Sequence, residues 1–153
     1  MQPVSLFRKA LRFIFLLVLV NSIGFLASSY MTGDNIQWYN NLTQSALTPP
    51  RHVFGLVWSV LLLLQAVAAF LVWGKASPRY FALQLGLNML WSFVFFFLHQ
   101  PIWALFVLIL FIWALIMNIK TFAKSNKLSG WLLVPTLLWS LFAFYLNAFI
   151  IFA

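Results

Sequence analysis

Five uncharged apolar stretches, with cations gathered on one side of them, constrain the fold of this chain. Each has about the 20 residues that a helix needs to cross a hydrocarbon layer of about 30 Å. Of the nine Lys and Arg residues, only Arg51 falls on the other side, so eight share one side. Because cations concentrate in short cytoplasmic loops, we predict an all-α membrane protein, a five-transmembrane-helix bundle with its N-terminus in and its C-terminus out. The predicted spans are about 13–33, 53–74, 80–98, 102–119 and 130–153.

The first stretch also has the form of a signal peptide, with Arg8, Lys9 and Arg12 ahead of an apolar core. That core runs from Phe13 past Ala27, whereas the apolar part of a signal peptide has about 7–15 residues. The greater length favours a retained membrane span.

The composition also indicates a membrane protein, and it bears on whether the chain binds nucleic acid. The chain is 65% apolar and only 7% charged, against about 25% charged residues in soluble domains. The net charge of +8 follows from the cytoplasmic loops and forms no basic face for a phosphate backbone. We therefore expect the lipid bilayer as a partner and no nucleic acid. The absence of Cys removes disulfides and thiolate chemistry.

One connection is long, and we expect it to fold. The loop of about 34–52 carries polar residues together with Trp38, Tyr39, Leu42 and Leu47, and a solvated tether needs no such apolar side chains. We predict a capping loop with a short helix around 36–42, within a single domain of residues 1–153. The alternative is an anchor at the headgroup level, which Trp and Tyr favour.

Prolines mark where several helices begin. Two consecutive prolines cannot sit in a helix interior, whereas Pro is tolerated in the first turn, where amide hydrogens lack partners anyway. Pro49 and Pro50 therefore set the start of the second span, Pro78 that of the third and Pro101 that of the fourth.

Three spans each carry a stripe of aromatic and carboxamide side chains at helical spacing. Such faces suit a flat apolar ligand, because rings stack on it and amides orient its polar edge. The alternative is packing, since Asn and Gln also join helices within membranes. The stripes are Phe54, Trp58, Leu61 and Gln65, then Gln84, Asn88, Trp91 and Phe95, then Pro135, Trp139, Ala143 and Asn147.

Two small residues stand one turn apart in the third span. Ala82 and Gly86 form a small-xxx-small pattern, which permits close approach of two helices. We take them as candidates for a dimer interface, with packing inside one chain as the equal alternative.

Four separated segments resemble the TspO/MBR family, the tryptophan-rich sensory proteins related to the mitochondrial translocator protein, or peripheral benzodiazepine receptor. The similarity covers about residue 20 to the end. The segments are Trp38-Tyr39-x-x-Leu42 before Thr48-Pro49-Pro50, Val53-Phe54-Gly55-x-Val57-Trp58, Gln84-Leu85-x-Leu87-Asn88-x-x-Trp91-Ser92 with Phe95-Phe96, and Leu133-x-Pro135-x-x-x-Trp139-x-x-x-Ala143-x-x-Leu146-Asn147.

The resemblance implies a homodimer of tightly packed five-helix bundles, with a pocket closed by the first loop. Its implied ligands are porphyrin-like tetrapyrroles including haem, isoquinoline and benzodiazepine compounds and, in some members, sterols. We expect no required cofactor and no metal site. The residues that the resemblance places at the ligand are Trp38, Pro50, Phe54, Asn88, Trp91, Trp139, Ala143 and Asn147. We add His52, at the mouth of the expected pocket, as a ninth candidate.

One departure from the family bears on activity. Family members usually have Gly-Trp where this chain has Arg51-His52, so an imidazole replaces an indole at the pocket mouth. Light-dependent porphyrin breakdown is thought to draw on pocket tryptophans, and the loss of one weighs against that activity here. His52 is also a candidate haem-iron ligand, with a hydrated surface residue as the stronger alternative.

These observations favour a binding protein or sensor for porphyrin-type tetrapyrroles in the inner membrane of a bacterium. A transporter of the same ligands is an alternative, although neither broken helices nor internal repeats are evident. An enzyme is disfavoured, because one acid and two His near loops provide no acid–base pair, triad or metal cluster; only tryptophan-centred radical or photochemistry remains. A role as an assembly partner for another membrane complex is also compatible.

Overall fold

The computed structural model describes residues 5–153, and the first four residues of the predicted domain lie outside them. Within the described part, five helices are long and apolar enough to cross a membrane. The all-α five-span class is confirmed, whereas the orientation across the membrane stays a prediction. The elements are α1 (Leu6–Ser29), α2 (Gly33–Asn40), α3 (Arg51–Leu71), α4 (Arg79–Ser92), a π-helical segment that continues it (Phe93–Phe97), α5 (Pro101–Ser125) and α6 (Lys127–Phe152).

The prolines mark helix starts as expected. Helix α3 begins immediately after Pro50, α4 immediately after Pro78, and α5 at Pro101 itself. Two helices extend furthest beyond the predicted apolar spans: α1 begins at Leu6 and α5 runs on to Ser125. A helical backbone satisfies its own hydrogen bonds, and long cationic side chains in the turns at either end of a helix can reach the headgroups. A charged residue therefore marks the end of the apolar stretch, while the helix continues past it.

The helices form a bundle in which α1 is peripheral. Helix α5 packs along α4 and α6, and α3 packs against α1 and α6, while α1 also touches α4. Only Leu16 and Val20 of α1 are buried. Most of the α1 surface thus faces away from the other helices.

The tightest helix approach is the hairpin of α5 and α6. Asn126 alone joins them, and its Oδ1 accepts a hydrogen bond from the Ser129 amide at 3.3 Å. A Cβ atom placed on Gly130 would lie 2.6 Å from the Ala123 Cβ and 3.1 Å from its Cα. Glycine is therefore required here for the two backbones to meet.

Buried polar contacts join α3, α4 and α6 in the half of the bundle nearer this hairpin. Gln84 Nε2 donates to Gln65 Oε1 at 2.9 Å, and Gln65 Nε2 donates to Thr136 Oγ1 at 3.4 Å. Ser129 Oγ donates to the Ala68 carbonyl at 2.6 Å. These two glutamines of the predicted stripes thus connect helices, as the packing alternative expected.

Ala82 and Gly86 both lie on an exposed face of α4. A Cβ atom on Gly86 would meet nothing within 4 Å. This face is not used for packing within the chain, and the homodimer stays a prediction.

The opposite end of the bundle is covered by α2 and the loop after it; we call it the capped end, and the end with the α5–α6 hairpin the cationic end. The Tyr39 ring packs edge-on against Phe96, with 5.5 Å between ring centroids. Ser45 Oγ lies 3.0 Å from the Tyr145 hydroxyl, which ties the loop to α6. The loop lies folded against the bundle, and its helix is at Gly33–Asn40, whereas the sequence predicts a short helix around 36–42.

Candidate ligand-binding site

A cavity of about 660 Å³ lies beneath α2 at the capped end, between α1, α3, α4 and α6. This volume is within the range of about 300–1,000 Å³ that small-molecule sites occupy. The half of the bundle at the cationic end is filled by packed side chains. The stripes therefore divide: their members near the capped end face a cavity, and those near the cationic end face other helices.

Aromatic rings form two walls of the cavity. Phe54 and Trp58 project from α3, while Trp91, Phe95 and Phe96 project from α4 and its π-helical continuation. The Trp91 and Phe95 rings stack at 5.6 Å with 29° between their planes. Flat apolar surface is thus presented from two sides of one space, which suits a planar ligand.

The π-helical segment places two consecutive phenylalanines on the cavity. The Leu98 amide donates to the Phe93 carbonyl at 3.0 Å, a hydrogen bond that spans five residues. Such a turn contains one residue more than an α-helical turn, which rotates the following side chains by about 100°. Phe95 and Phe96 are both buried and both line the cavity.

The two asparagines of the cavity differ in their partners. Asn147 Nδ2 donates to the Pro101 carbonyl at 2.9 Å, and its Oδ1 accepts from Trp91 Nε1 at 3.2 Å. Asn147 therefore fixes the orientation of the Trp91 indole. The Asn88 carboxamide lines the cavity and makes no hydrogen bond within residues 5–153, so it is free to donate to or accept from a ligand.

Positive charge lies at the rim of the cavity. Arg51 and His52 line it from the first turn of α3 and are exposed. The only acidic residue of the sequence, Asp34, is not among the lining residues. Burial raises the pKa of Tyr39, whose phenol lines the cavity and so stays neutral. The rim therefore favours an anionic group on the ligand.

Six of the nine residues proposed at the ligand line this cavity: His52, Phe54, Asn88, Trp91, Ala143 and Asn147. The other three lie beside it. Pro50 is exposed just before α3, and Trp38 belongs to α2. Trp139 packs edge-on against Phe54 at 5.5 Å and supports that ring from behind.

Helix α1 contributes a wall that the sequence stripes did not include. Asn21, Gly24 and Ser28 line the cavity from α1, and Met31 lines it from the turn that follows. The polar and small residues among them lie three and four positions apart, so they share a helix face. Their helical spacing could have indicated this wall. A single Asn or Ser in a span, however, can either face a cavity or bond to a carbonyl of its own helix, and the sequence does not tell which.

Trp38 and His99 connect the cap to the turn before α5. Their rings stack at 4.3 Å with 17° between the planes, and His99 Nε2 lies 3.0 Å from Asn35 Oδ1. His99 has a positive φ of 55°, an uncommon conformation for a residue other than glycine. We call the contact of Trp38, Asn35 and His99 the cap latch.

We expect His99→Ala to loosen α2 while the bundle stays folded. The variant removes a ring stack and a hydrogen bond, each worth about 0.5–1.5 kcal/mol. Amides of Gly33–Asn40 should then exchange with deuterium about tenfold faster or more, because local opening becomes easier. Gln100→Ala, at the exposed neighbouring position, is the control; equal protection of α2 in both variants would contradict the latch.

Comparison with known proteins identifies the family. The model of the TspO/MBR family matches residues 14–153. Tryptophan-rich protein TspO of Archaeoglobus fulgidus is 36% identical over 136 residues, which are 84% of this chain and 87% of that protein. Translocator protein of Homo sapiens is 30% identical over 139 residues, 84% and 82% of the two chains. Tryptophan-rich sensory protein of Cereibacter sphaeroides is 34% identical over 115 residues, 72% and 73%. This chain is therefore an integral, multi-pass membrane protein that belongs to the TspO/MBR family.

Proposed function

We propose that this protein binds porphyrin-type tetrapyrroles in the cavity at its capped end and acts as a membrane binding protein or sensor for them. The observation that carries the proposal is a cavity of about 660 Å³ with aromatic walls and one unpartnered carboxamide. A planar macrocycle stacks on rings from two sides, and its polar edge requires few, well-placed hydrogen-bonding groups.

The charges of the site support an anionic tetrapyrrole over a neutral ligand. Arg51 is the guanidinium at the rim, and it pairs with carboxylates in a bidentate geometry. Asn88, deeper in the cavity, offers both a donor and an acceptor. A macrocycle with propionates on one edge matches this order, with its carboxylates at Arg51 and its ring against Trp91.

The membrane that fits this protein is a bacterial inner membrane. Its five spans are helices, while outer membranes mainly hold barrels. Its cations lie mostly at one end, the pattern of a cytoplasmic face. In that orientation the capped end and its cavity face away from the cytoplasm.

A titration with protoporphyrin IX tests the proposed function. The protein in lipid nanodiscs should show saturable, one-to-one quenching of tryptophan fluorescence, beyond what free porphyrin causes in empty nanodiscs. Asn88→Leu keeps the branching of the side chain and removes its hydrogen-bonding groups, so affinity should fall about tenfold, the effect of about 1–2 kcal/mol. The neighbouring Met89→Leu, outside the cavity lining, should bind like the unmodified protein.

Two results bear against the proposal. Quenching that never saturates would show partition into lipid instead of binding, and would favour an assembly role. Equal affinities of Asn88→Leu and Met89→Leu would place the porphyrin elsewhere on the protein.

A further inference from the structure

The cavity is open on one side, between α1 and α3. Phe25 and Ser28 of α1 and Gly55 and Ser59 of α3 line the cavity, and all four are among the exposed residues of their helices. A residue that meets both the cavity and the surroundings marks a gap in the wall. We call the opening bounded by these four residues the lateral slot.

The slot has a definite length along the helices. At its lower limit α1 and α3 meet, because a Cβ atom on Gly24 would lie 2.5 Å from Leu62 Cδ1. Its upper limit is the first turn of α3, at Arg51. Ser59 to Arg51 spans about 12 Å at the rise of an α-helix, which is long enough for the edge of a planar macrocycle.

The surroundings of the slot are those of a lipid-facing surface. Phe25 is 74% exposed and Leu56 is 67% exposed, and both belong to membrane spans. Exposed apolar side chains on a spanning helix face acyl chains. The slot is therefore a passage between the cavity and the membrane, below the level of Arg51.

The polar groups of the slot are satisfied within their own helices. Ser28 Oγ donates to the Phe25 carbonyl at 2.9 Å, and Ser59 Oγ donates to the Gly55 carbonyl at 2.8 Å. Neither hydroxyl needs a partner from across the slot, so none closes it. Small residues with no hydrogen bond across the slot present little resistance to an apolar molecule.

The route from water is more obstructed. Helix α2 covers the end of the bundle, Tyr39 packs on Phe96, and the cap latch fixes α2 to the turn at His99. A ligand arriving from that side must displace these contacts. A ligand arriving through the slot displaces lipid alone.

We propose that the ligand reaches the cavity sideways from the membrane, through the lateral slot; this inference rests on the proposed function. A planar apolar molecule with anionic groups lies in a bilayer with its charges at the headgroups and its ring among the acyl chains. The slot repeats that order, with Arg51 at its upper limit and Gly55 and Ser59 below. The ligand can therefore enter without turning over. Its carboxylates stay solvated at the headgroup level until they meet Arg51.

Closing the slot should slow both the entry and the exit of the ligand. A Cβ atom on Gly55 would meet nothing within 4 Å, so Gly55→Phe adds a ring in open space. We expect association and dissociation of protoporphyrin IX, followed by stopped-flow tryptophan quenching in nanodiscs, to slow by about tenfold or more. Both rates should fall together, so Kd, their ratio, should change much less than either rate. Leu56→Phe adds a ring on the adjacent lipid-facing position, outside the cavity lining, and should leave both rates unchanged.

Two further variants keep the test sharp. Ser59→Phe blocks the same slot and serves if Gly55→Phe fails to fold. His99→Ala opens the cap, so it should leave the association rate unchanged if the ligand comes from the membrane.

The outcomes separate this inference from the proposed function. Unchanged rates in both slot variants, faster association in His99→Ala, or a raised Kd with unchanged association would each overturn the lateral route and leave the binding function standing. Absence of saturable binding by the unmodified protein would overturn both.

Discussion

Replacing Ala143 with Phe should abolish porphyrin binding. Ala143 lines the cavity from α6, one turn before Asn147. A phenyl ring at this position points into the space between the aromatic walls, so the ring and a macrocycle cannot occupy the cavity together. We expect Kd to rise at least about 100-fold, which corresponds to about 2.7 kcal/mol. The measurement is the titration with protoporphyrin IX.

The fold should survive this change, because the new ring enters a cavity instead of a packed core. Ala148→Phe, five residues further along α6 and outside the cavity lining, is the matched control and should keep its affinity. Binding by the Ala143 variant at the affinity of the unmodified protein would mean that the ligand lies outside this cavity. An equal loss in both variants would point to general disruption of α6.

Two Gly→Ala substitutions should change stability in opposite directions. Gly130→Ala brings a methyl group to 2.6 Å from the Ala123 Cβ and 3.2 Å from the Ile119 carbonyl oxygen. Backbone atoms cannot yield as a flexible side chain can, so α5 and α6 must separate. We expect a loss of about 1–3 kcal/mol in the free energy of unfolding, as for overpacking of a filled core.

Gly86→Ala is the counterpart, since the added methyl group meets nothing within 4 Å. Alanine in a helix interior is favoured over glycine by about 0.5–1 kcal/mol, so this variant should be as stable as the unmodified protein or more so. Unfolding of both variants in a denaturing detergent measures the difference. Equal destabilisation would contradict the helix approach that the structure shows at Gly130.

Much of the architecture could be predicted because hydrocarbon imposes a strict rule. Backbone polar groups must be satisfied inside each span, which leaves helices, and charged residues are kept to their ends. Pro50, Pro78 and Pro101 then marked helix starts within a residue of where they lie. Helical spacing also placed Asn88, Trp91 and Asn147 on faces that turn inward.

Periodicity assigned residues to faces but not to neighbours. Gln84 and Asn88 occupy one face of α4, yet Gln84 bonds to Gln65 while Asn88 faces a cavity. What separates them is the distance between helices at each depth, which depends on the packing of all helices together. The wide spacing at the capped end could not be read from either residue alone.

The sequence by itself determined the five spans, the sidedness of the cations and the faces that turn inward, because these depend on local composition and on a helical period. Tertiary structure alone decided where the bundle is filled and where it is hollow. It also decided that α1 closes the cavity incompletely, that a π-helical turn directs Phe95 and Phe96 inward, and that His99 holds the cap. These features arise where helices distant in sequence meet, and contacts between such helices cannot be read from local sequence patterns.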